Sequence, residues 1–275
     1  VPNVSDEFVL ELVEAGVERR EARWLVDEFV PGGDPDAHQA LRAAATRRLN
    51  GEPLQYIVGH WPFRSLDLDV DHRALIPRPE TEELVDVALR ELASAAVPAP
   101  LIVDLGTGSG AIGLSLVSEL LQRGVAASLL AVDESSEALA LARQNARKLR
   151  LNAVSFVHSS WFASLDTSLR GRVDLIVANP PYVGEAEFDG LDPVLRHEPR
   201  GAIVAADVAD VAGFADLDIV IREALEWLAP GGALICEHAD TQRRAVLELT
   251  DAVGYRYVED LDDLSGRPRI LVARR

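Results

Sequence analysis

Leu101-Ile102-Val103-Asp104-Leu105-Gly106-Thr107-Gly108-Ser109-Gly110 is the stretch that decides the fold. Its first five residues are a short run of strand length with β-branched Ile102 and Val103, and the three glycines that follow end it. The apolar segment from Ala111 to Leu121 then reads as a helix, so the whole is strand, glycine loop, helix. Glycine lets a backbone approach a ligand closely, and a helix N-terminus exposes unpaired N–H groups, which suits a carboxylate or a phosphate. Gly106, Gly108 and Ala111 also satisfy the dinucleotide-binding pattern, and a tight turn without a ligand has the same composition.

Working outward, the next strand-like run, Ser128-Leu129-Leu130-Ala131-Val132, ends at Asp133. A carboxylate there can take both hydroxyls of a ribose, as with nicotinamide and adenosyl cofactors, and it can equally cap a helix starting near Ser136. Further on, Val173-Asp174-Leu175-Ile176-Val177-Ala178 stops at Asn179-Pro180-Pro181-Tyr182. Each proline fixes its own φ and restricts the residue before it, which makes a stiff elbow and presents the Asn side chain. The Asn179 amide oxygen and nearby carbonyls can accept hydrogen bonds from a planar –NH2 group, and the Tyr182 ring offers a stacking face. The alternative is a plain turn after a strand.

Strand-like and helix-like segments alternate beyond Val97-Pro98-Ala99-Pro100, as a parallel sheet demands. Strands are expected at 101–105, 128–133, 153–157, 173–178 and 232–237, with helices at 111–123, 136–150, 213–228 and 241–253. Tyr255 to Glu259 and Arg269 to Ala273 are two strand-like runs with no helix between them, which predicts an antiparallel pair at a sheet edge. Helical spacing of apolar residues over Asp6–Gly16, Arg19–Val30 and Asp36–Asn50, broken at Pro31-Gly32-Gly33, predicts a small helical domain. Phe63, Leu66, Leu68 and Val70 predict a bridging hairpin. The expected division is 1–55 helical domain, 56–97 hairpin and linker helix, and 98–275 sheet domain.

At 275 residues and 48% apolar, the chain can bury a large core. Its 27 basic and 45 acidic side chains leave a net charge of −18, which disfavours a free nucleic acid as substrate and favours a basic protein partner. No apolar stretch is long enough to span a bilayer, and the acidic N-terminus lacks a basic-then-apolar leader, so a cytoplasmic location is expected. The single cysteine, Cys236, lies in an apolar run and reads as an inert core residue. His60, His72, His158, His197 and His238 show no metal-ligand spacing, and no metal is expected. Neither internal repeats nor low-complexity segments occur.

The order of these motifs resembles the Rossmann-like class I S-adenosylmethionine-dependent methyltransferases whose fourth strand ends in Asn-Pro-Pro-Tyr. Within them the chain is similar to the protein-(glutamine-N5) methyltransferases of the HemK/PrmC type, which modify peptide chain release factors. Gly51-Glu52-Pro53-Leu54-Gln55-Tyr56, Leu75-Ile76-Pro77-Arg78-Pro79-Glu80-Thr81-Glu82, the glycine loop, Ser160-Trp161-Phe162, Asn179 to Tyr182 and Glu198-Pro199 carry the resemblance along nearly the whole chain. It implies an α/β fold with a mostly parallel seven-stranded sheet, one strand reversed, and a small N-terminal helical domain that grips the substrate protein. S-adenosyl-L-methionine would be the methyl donor, with Gly106, Thr107, Gly108, Ser109, Gly110 and Asp133 holding its methionine and ribose portions and Trp161 against the adenine.

The resemblance further implies methyl transfer to the glutamine of the Gly-Gly-Gln motif of class I release factors. A monomer is expected, and the charge predicts no direct nucleic-acid contact. Asn179, Pro180, Pro181 and Tyr182 would be the catalytic residues, with Asn179 also touching the cofactor. Ser160 stands where many relatives carry Asp, so no carboxylate contact to the adenine amine is assigned. Glutamine methylation of a ribosomal protein, adenine-N6 methylation of nucleic acid and a non-catalytic adenosyl- or nucleotide-binding module are the alternatives. Arg78 and Glu80 are expected to order the loop over the cofactor or to form a surface ion pair, Glu198 to be a solvated loop carboxylate in preference to a receiver of a substrate loop's backbone, and Glu82-Glu83 and Asp262-Asp263 to be acidic surface.

Overall fold

A computed structural model describes residues 4–31 and 38–275. The expected Gly32-Gly33 break and the expected helix start at Asp36 fall outside them. Three amphipathic helices, α1 (Val4–Glu14), α2 (Arg19–Phe29) and α3 (His38–Leu49), open the chain, followed by the short α4 (Leu54–Val58). The Glu18 carboxylate accepts the first free N–H groups of α2, from Arg20 and Glu21, which fixes where that helix begins. Phe8, Leu12, Leu25, Val26 and Leu41 form one buried cluster, and Leu54 and Ile57 of α4 join it. Helix α4 therefore runs through the 55/56 boundary expected from the sequence, while Tyr56 points the other way and donates its hydroxyl to Ala74 O at 2.7 Å.

The bridging hairpin forms as expected, from β1 (His60–Phe63) and β2 (Leu66–Asp69) with Phe63 opposite Leu66. Its Trp61 stacks on Trp24 of α2 with ring centroids 4.6 Å apart, while Phe63, Leu66 and Leu68 enter the main core. Helix α5 (Thr81–Ala95) leads through the proline linker to the large sheet. Then follow β3 (Leu101–Leu105), α6 (Ala111–Gln122), β4 (Ser128–Asp133), α7 (Ser136–Lys148), β5 (Val154–His158), β6 (Val173–Ala178), β7 (Val183–Gly184) and β8 (Val204–Ala205). The chain finishes with α8 (Ala215–Trp227), β9 (Leu228–Glu237), α9 (Arg243–Val253), β10 (Tyr257–Asp262) and β11 (Pro268–Arg274).

Among the described residues the large sheet has seven strands in the order β10-β11-β9-β6-β3-β4-β5. Only β11 is reversed: it runs antiparallel to both β10 and β9, and the remaining pairs are parallel. Side chains alternate across it, as the pleat requires. Ile102, Leu175 and Val177 face the core under α5 and α6, whereas Val103, Leu105 and Ile176 face the core under α8 and α9. The edge pair β10–β11 and the predicted strands and helices agree with the sequence reading to within about two residues, except that β9 begins four residues early. Leu228 pairs with Val173, after which the register shifts and Ala233 pairs with Leu175.

Several charged residues read as surface are not. Asp263 is buried and accepts the Ser265 and Arg267 N–H groups of the β10–β11 turn. His238, read as a scattered polar residue, is wholly enclosed, with Nε2 2.9 Å from the buried Asp260 carboxylate. Glu82 and Glu83 accept backbone N–H groups of Arg64 and Leu264, and so hold two turns in place. Cys236 is buried, as expected.

Candidate active site

A cavity of about 320 Å³ opens at the carboxyl ends of β3, β4 and β6, where the chain order reverses direction across the sheet. Gly106, Thr107, Gly108 and Ser109 form one wall, with Asp133, Trp161, Asn179 and Pro181 also on the lining. Most residues predicted for the site thus meet in one place. Gly110, Pro180 and Tyr182 are not among the lining residues.

The glycine loop is pinned from below and from the side. The Thr107 N–H donates to Val132 O at 2.9 Å, and the Thr107 hydroxyl donates to Asp104 Oδ2 at 2.6 Å. The Gly108 N–H reaches Asp133 Oδ2 at 2.8 Å, while Asp133 Oδ1 accepts from Ser135 N at 2.8 Å. Asp133 therefore ties the loop to the residue that caps α7 and keeps lone pairs free toward the cavity. The cap itself is Ser135, whose hydroxyl oxygen accepts Ala138 N–H at 3.1 Å, and not Asp133, the alternative that the sequence left open. Gly110 caps α6 with φ +87°, and a Cβ there would come within 2.7 Å of Leu114, which is why glycine is needed although it lines nothing.

Burial raises the carboxyl of Asp133 against those two backbone donors. It pushes Asp104, fully enclosed, up to about 7 despite the hydrogen bonds from Thr107 and Gly113.

The Trp161 ring lies against Gly106, and its Nε1–H donates to Asp216 Oδ1 at 3.0 Å. Asp216, in the first turn of α8, also lines the cavity. A carboxylate thus sits at the edge of the aromatic wall despite Ser160. An acidic residue in a first helical turn looks like ordinary helix chemistry, so nothing local marked it.

Asn179 donates its side-chain N–H to Thr81 Oγ1 at 3.2 Å, and Thr81 donates to Glu237 Oε2 at 2.8 Å. The other oxygen of Glu237 accepts the Tyr182 hydroxyl at 3.2 Å. Tyr182 packs its ring against the α8–α9 core under the Arg269 guanidinium and is not on the cavity lining, in contrast to the stacking face expected. Gln242 secures the elbow further: its Nε2 donates to the carbonyls of Tyr182, Ala212 and Gly213, and its Oε1 accepts from Ala239 N. Gly213 admits this approach, since a Cβ there would lie 2.3 Å from Tyr182 O.

Glu237 is only 2% exposed, and burial raises its carboxyl against the Thr81 and Tyr182 hydrogen bonds and the charge of Arg269. It ends an apolar strand at the same sheet edge as Asp133 and Asn179, a signal the sequence did contain.

Segments 74–81 and 198–204 bridge the mouth. Arg78 pairs with Glu198, whose side chain is 1% exposed and also accepts Ile76 N–H at 2.9 Å. Glu198 is thus a buried tether, not a solvated carboxylate, and the Arg78 pair is not a surface one.

The cavity fits an adenosyl cofactor by its donor set: N–H groups of a glycine loop, a carboxylate at the end of β4, and an aromatic wall with a carboxylate at its edge. A family model described as a methyltransferase domain matches residues 100–258. The release factor glutamine methyltransferase of Pasteurella multocida is 40% identical over 241 residues, spanning 84% of this chain and 78% of that protein. That of Escherichia coli K12 is 37% identical over 236 residues, spanning 86% and 80%. The N-terminal domain of human METTL16 in complex with SAH superposes with a TM-score of 0.53 over 89% of this chain and 83% of that one, and at 16% identity this shows the fold alone. With such identity along most of both chains, and a methyltransferase cavity at the expected sheet edge, the chain belongs to the release factor glutamine methyltransferase family.

Proposed function

We propose that the protein transfers a methyl group to the side-chain amide nitrogen of the glutamine in the Gly-Gly-Gln motif of class I peptide chain release factors. The observation carrying this is that Asn179 and Pro181 line the same cavity as the glycine loop and Asp133. When bound, S-adenosyl-L-methionine supplies a methyl group already activated by its sulfonium.

The protein then has to hold two reactants in line and keep water out. In the glycine loop the N–H groups of Gly106 and Ser109 receive the amino-acid end of the cofactor, those of Thr107 and Gly108 being held by Val132 and Asp133; Asp133 takes its ribose hydroxyls, and Trp161 with Asp216 its adenine. A glutamine amide nitrogen is a poor nucleophile, because its lone pair is delocalised into the carbonyl. The Asn179 side-chain oxygen and the Pro180 carbonyl accept its two hydrogens, orient it and polarise its electrons. Tyr182 braces this elbow from behind through Glu237. In this reading the N-terminal helices grip another part of the factor, and the enzyme works as a cytoplasmic monomer. No helix among the described residues is long and apolar enough to cross a membrane.

The test is transfer of labelled methyl to a purified class I release factor, beside the same factor with its motif glutamine changed to alanine and a duplex DNA control. Label on the intact factor alone is expected, and label on DNA or on the alanine factor overturns the reading. Asn179→Ala is expected to lower turnover by about 10²-fold or more while S-adenosylhomocysteine still binds.

A further inference from the structure

An Asn side chain can turn either its oxygen or its nitrogen toward a cavity, and only the oxygen accepts hydrogens from an amine. The choice at Asn179 is made two residues away. Thr81 donates its single hydroxyl hydrogen to Glu237 Oε2 at 2.8 Å, and the Tyr182 hydroxyl donates to the other oxygen, so this carboxyl group accepts on both sides. The Thr81 oxygen is left with lone pairs alone, 3.2 Å from the Asn179 amide nitrogen. That oxygen can only be satisfied by an N–H, which sends the Asn179 oxygen the other way. Thr81 is the first residue of α5, after the cap position at Glu80, and its hydroxyl goes to Glu237.

We infer that Thr81 and Glu237 are positioning residues which lock the Asn179 amide with its oxygen toward the substrate and so make the seat one for an amine rather than a carbonyl. The same carboxylate holds Tyr182 through its second oxygen, so both ends of the Asn-Pro-Pro-Tyr elbow hang from Glu237. The inference rests on the proposed glutamine reading for the identity of the amine.

Thr81→Val keeps the shape and removes the hydroxyl; Thr81→Ser keeps the hydroxyl and removes a methyl. Thr81→Val is expected to lower kcat on the release factor about 10- to 100-fold, with KM and S-adenosylhomocysteine affinity within about twofold of the parent. Thr81→Ser is expected to stay within about threefold of the parent in kcat. Thr81→Ala provides the same comparison should the valine variant fail to bind S-adenosylhomocysteine.

Without substrate, the 15N-resolved side-chain amide signals of Asn179, assigned by their loss in Asn179→Ala, are expected to move in Thr81→Val and to stay in Thr81→Ser. Full kcat in the folded valine variant, a serine variant as impaired as the valine one, or unmoved amide signals would each overturn the inference. A parent enzyme that leaves the release factor unlabelled overturns the substrate reading instead, and the amide signals still report the orientation.

Discussion

Asp104 lies wholly enclosed beneath the glycine loop, with Oδ2 bonded to Thr107 and Gly113 and Oδ1 without a partner. Its carboxyl, raised to about 7 in the fold, titrates near 4 in the unfolded chain. Between those values the folded protein keeps a proton that the unfolded chain has lost, so this group's contribution to stability declines as pH rises. Asp104→Asn mimics the neutral acid. Its melting temperature relative to the parent is expected to rise by roughly 5 °C between pH 5 and pH 8, and parallel curves in calorimetry would refute the assignment. Individual site residues were legible where they close a strand, as Asp133 and Asn179 do. Glu198 and Asp263 were not, because burial of a carboxylate depends on what folds over it, and the N–H that meets Glu198 comes from Ile76, far away in the chain. Half-buried Asp216 was not, because its partner Trp161 lies in a distant segment.

The elements were legible wherever one periodicity held over enough residues. Strands β3, β4 and β6 are short, apolar and closed by turn residues, while β9 begins in Leu228-Ala229-Pro230-Gly231, whose composition signals a turn and of which only Leu228 pairs with β6. The two-residue strands β7 and β8 carry no pattern at all, and they are held by each other. Between elements, the Arg78–Glu198 pair is the clasp that joins the segment before α5 to the loop before β8. Removing one partner strands a buried charge, so Arg78→Ala is expected to cost about 2–4 kcal/mol in urea unfolding. Adding Glu198→Gln to that variant is expected to recover about half of the loss, and simple additivity of the two changes would argue against a shared tether.

At the scale of the molecule, two cores flank one sheet and a third, separate cluster fills the N-terminal helices, joined to the hairpin by the Trp24–Trp61 stack. A net charge of −18 surrounds the whole. With a basic protein as partner, kcat/KM is expected to fall several-fold as salt rises from about 20 to 200 mM while kcat holds, since screening acts on encounter. A rate indifferent to salt would mean that charge does not guide this partner. Gln242 gives the encounter its other half. One buried amide fastens the elbow after β6, the loop before α8 and the end of β9 to each other, so these three segments have little freedom left to surrender when a guest arrives. The entropic toll of forming the reactive complex then falls on the substrate's own loop, and a peptide already bent to shape would bind far better than a slack one of identical sequence.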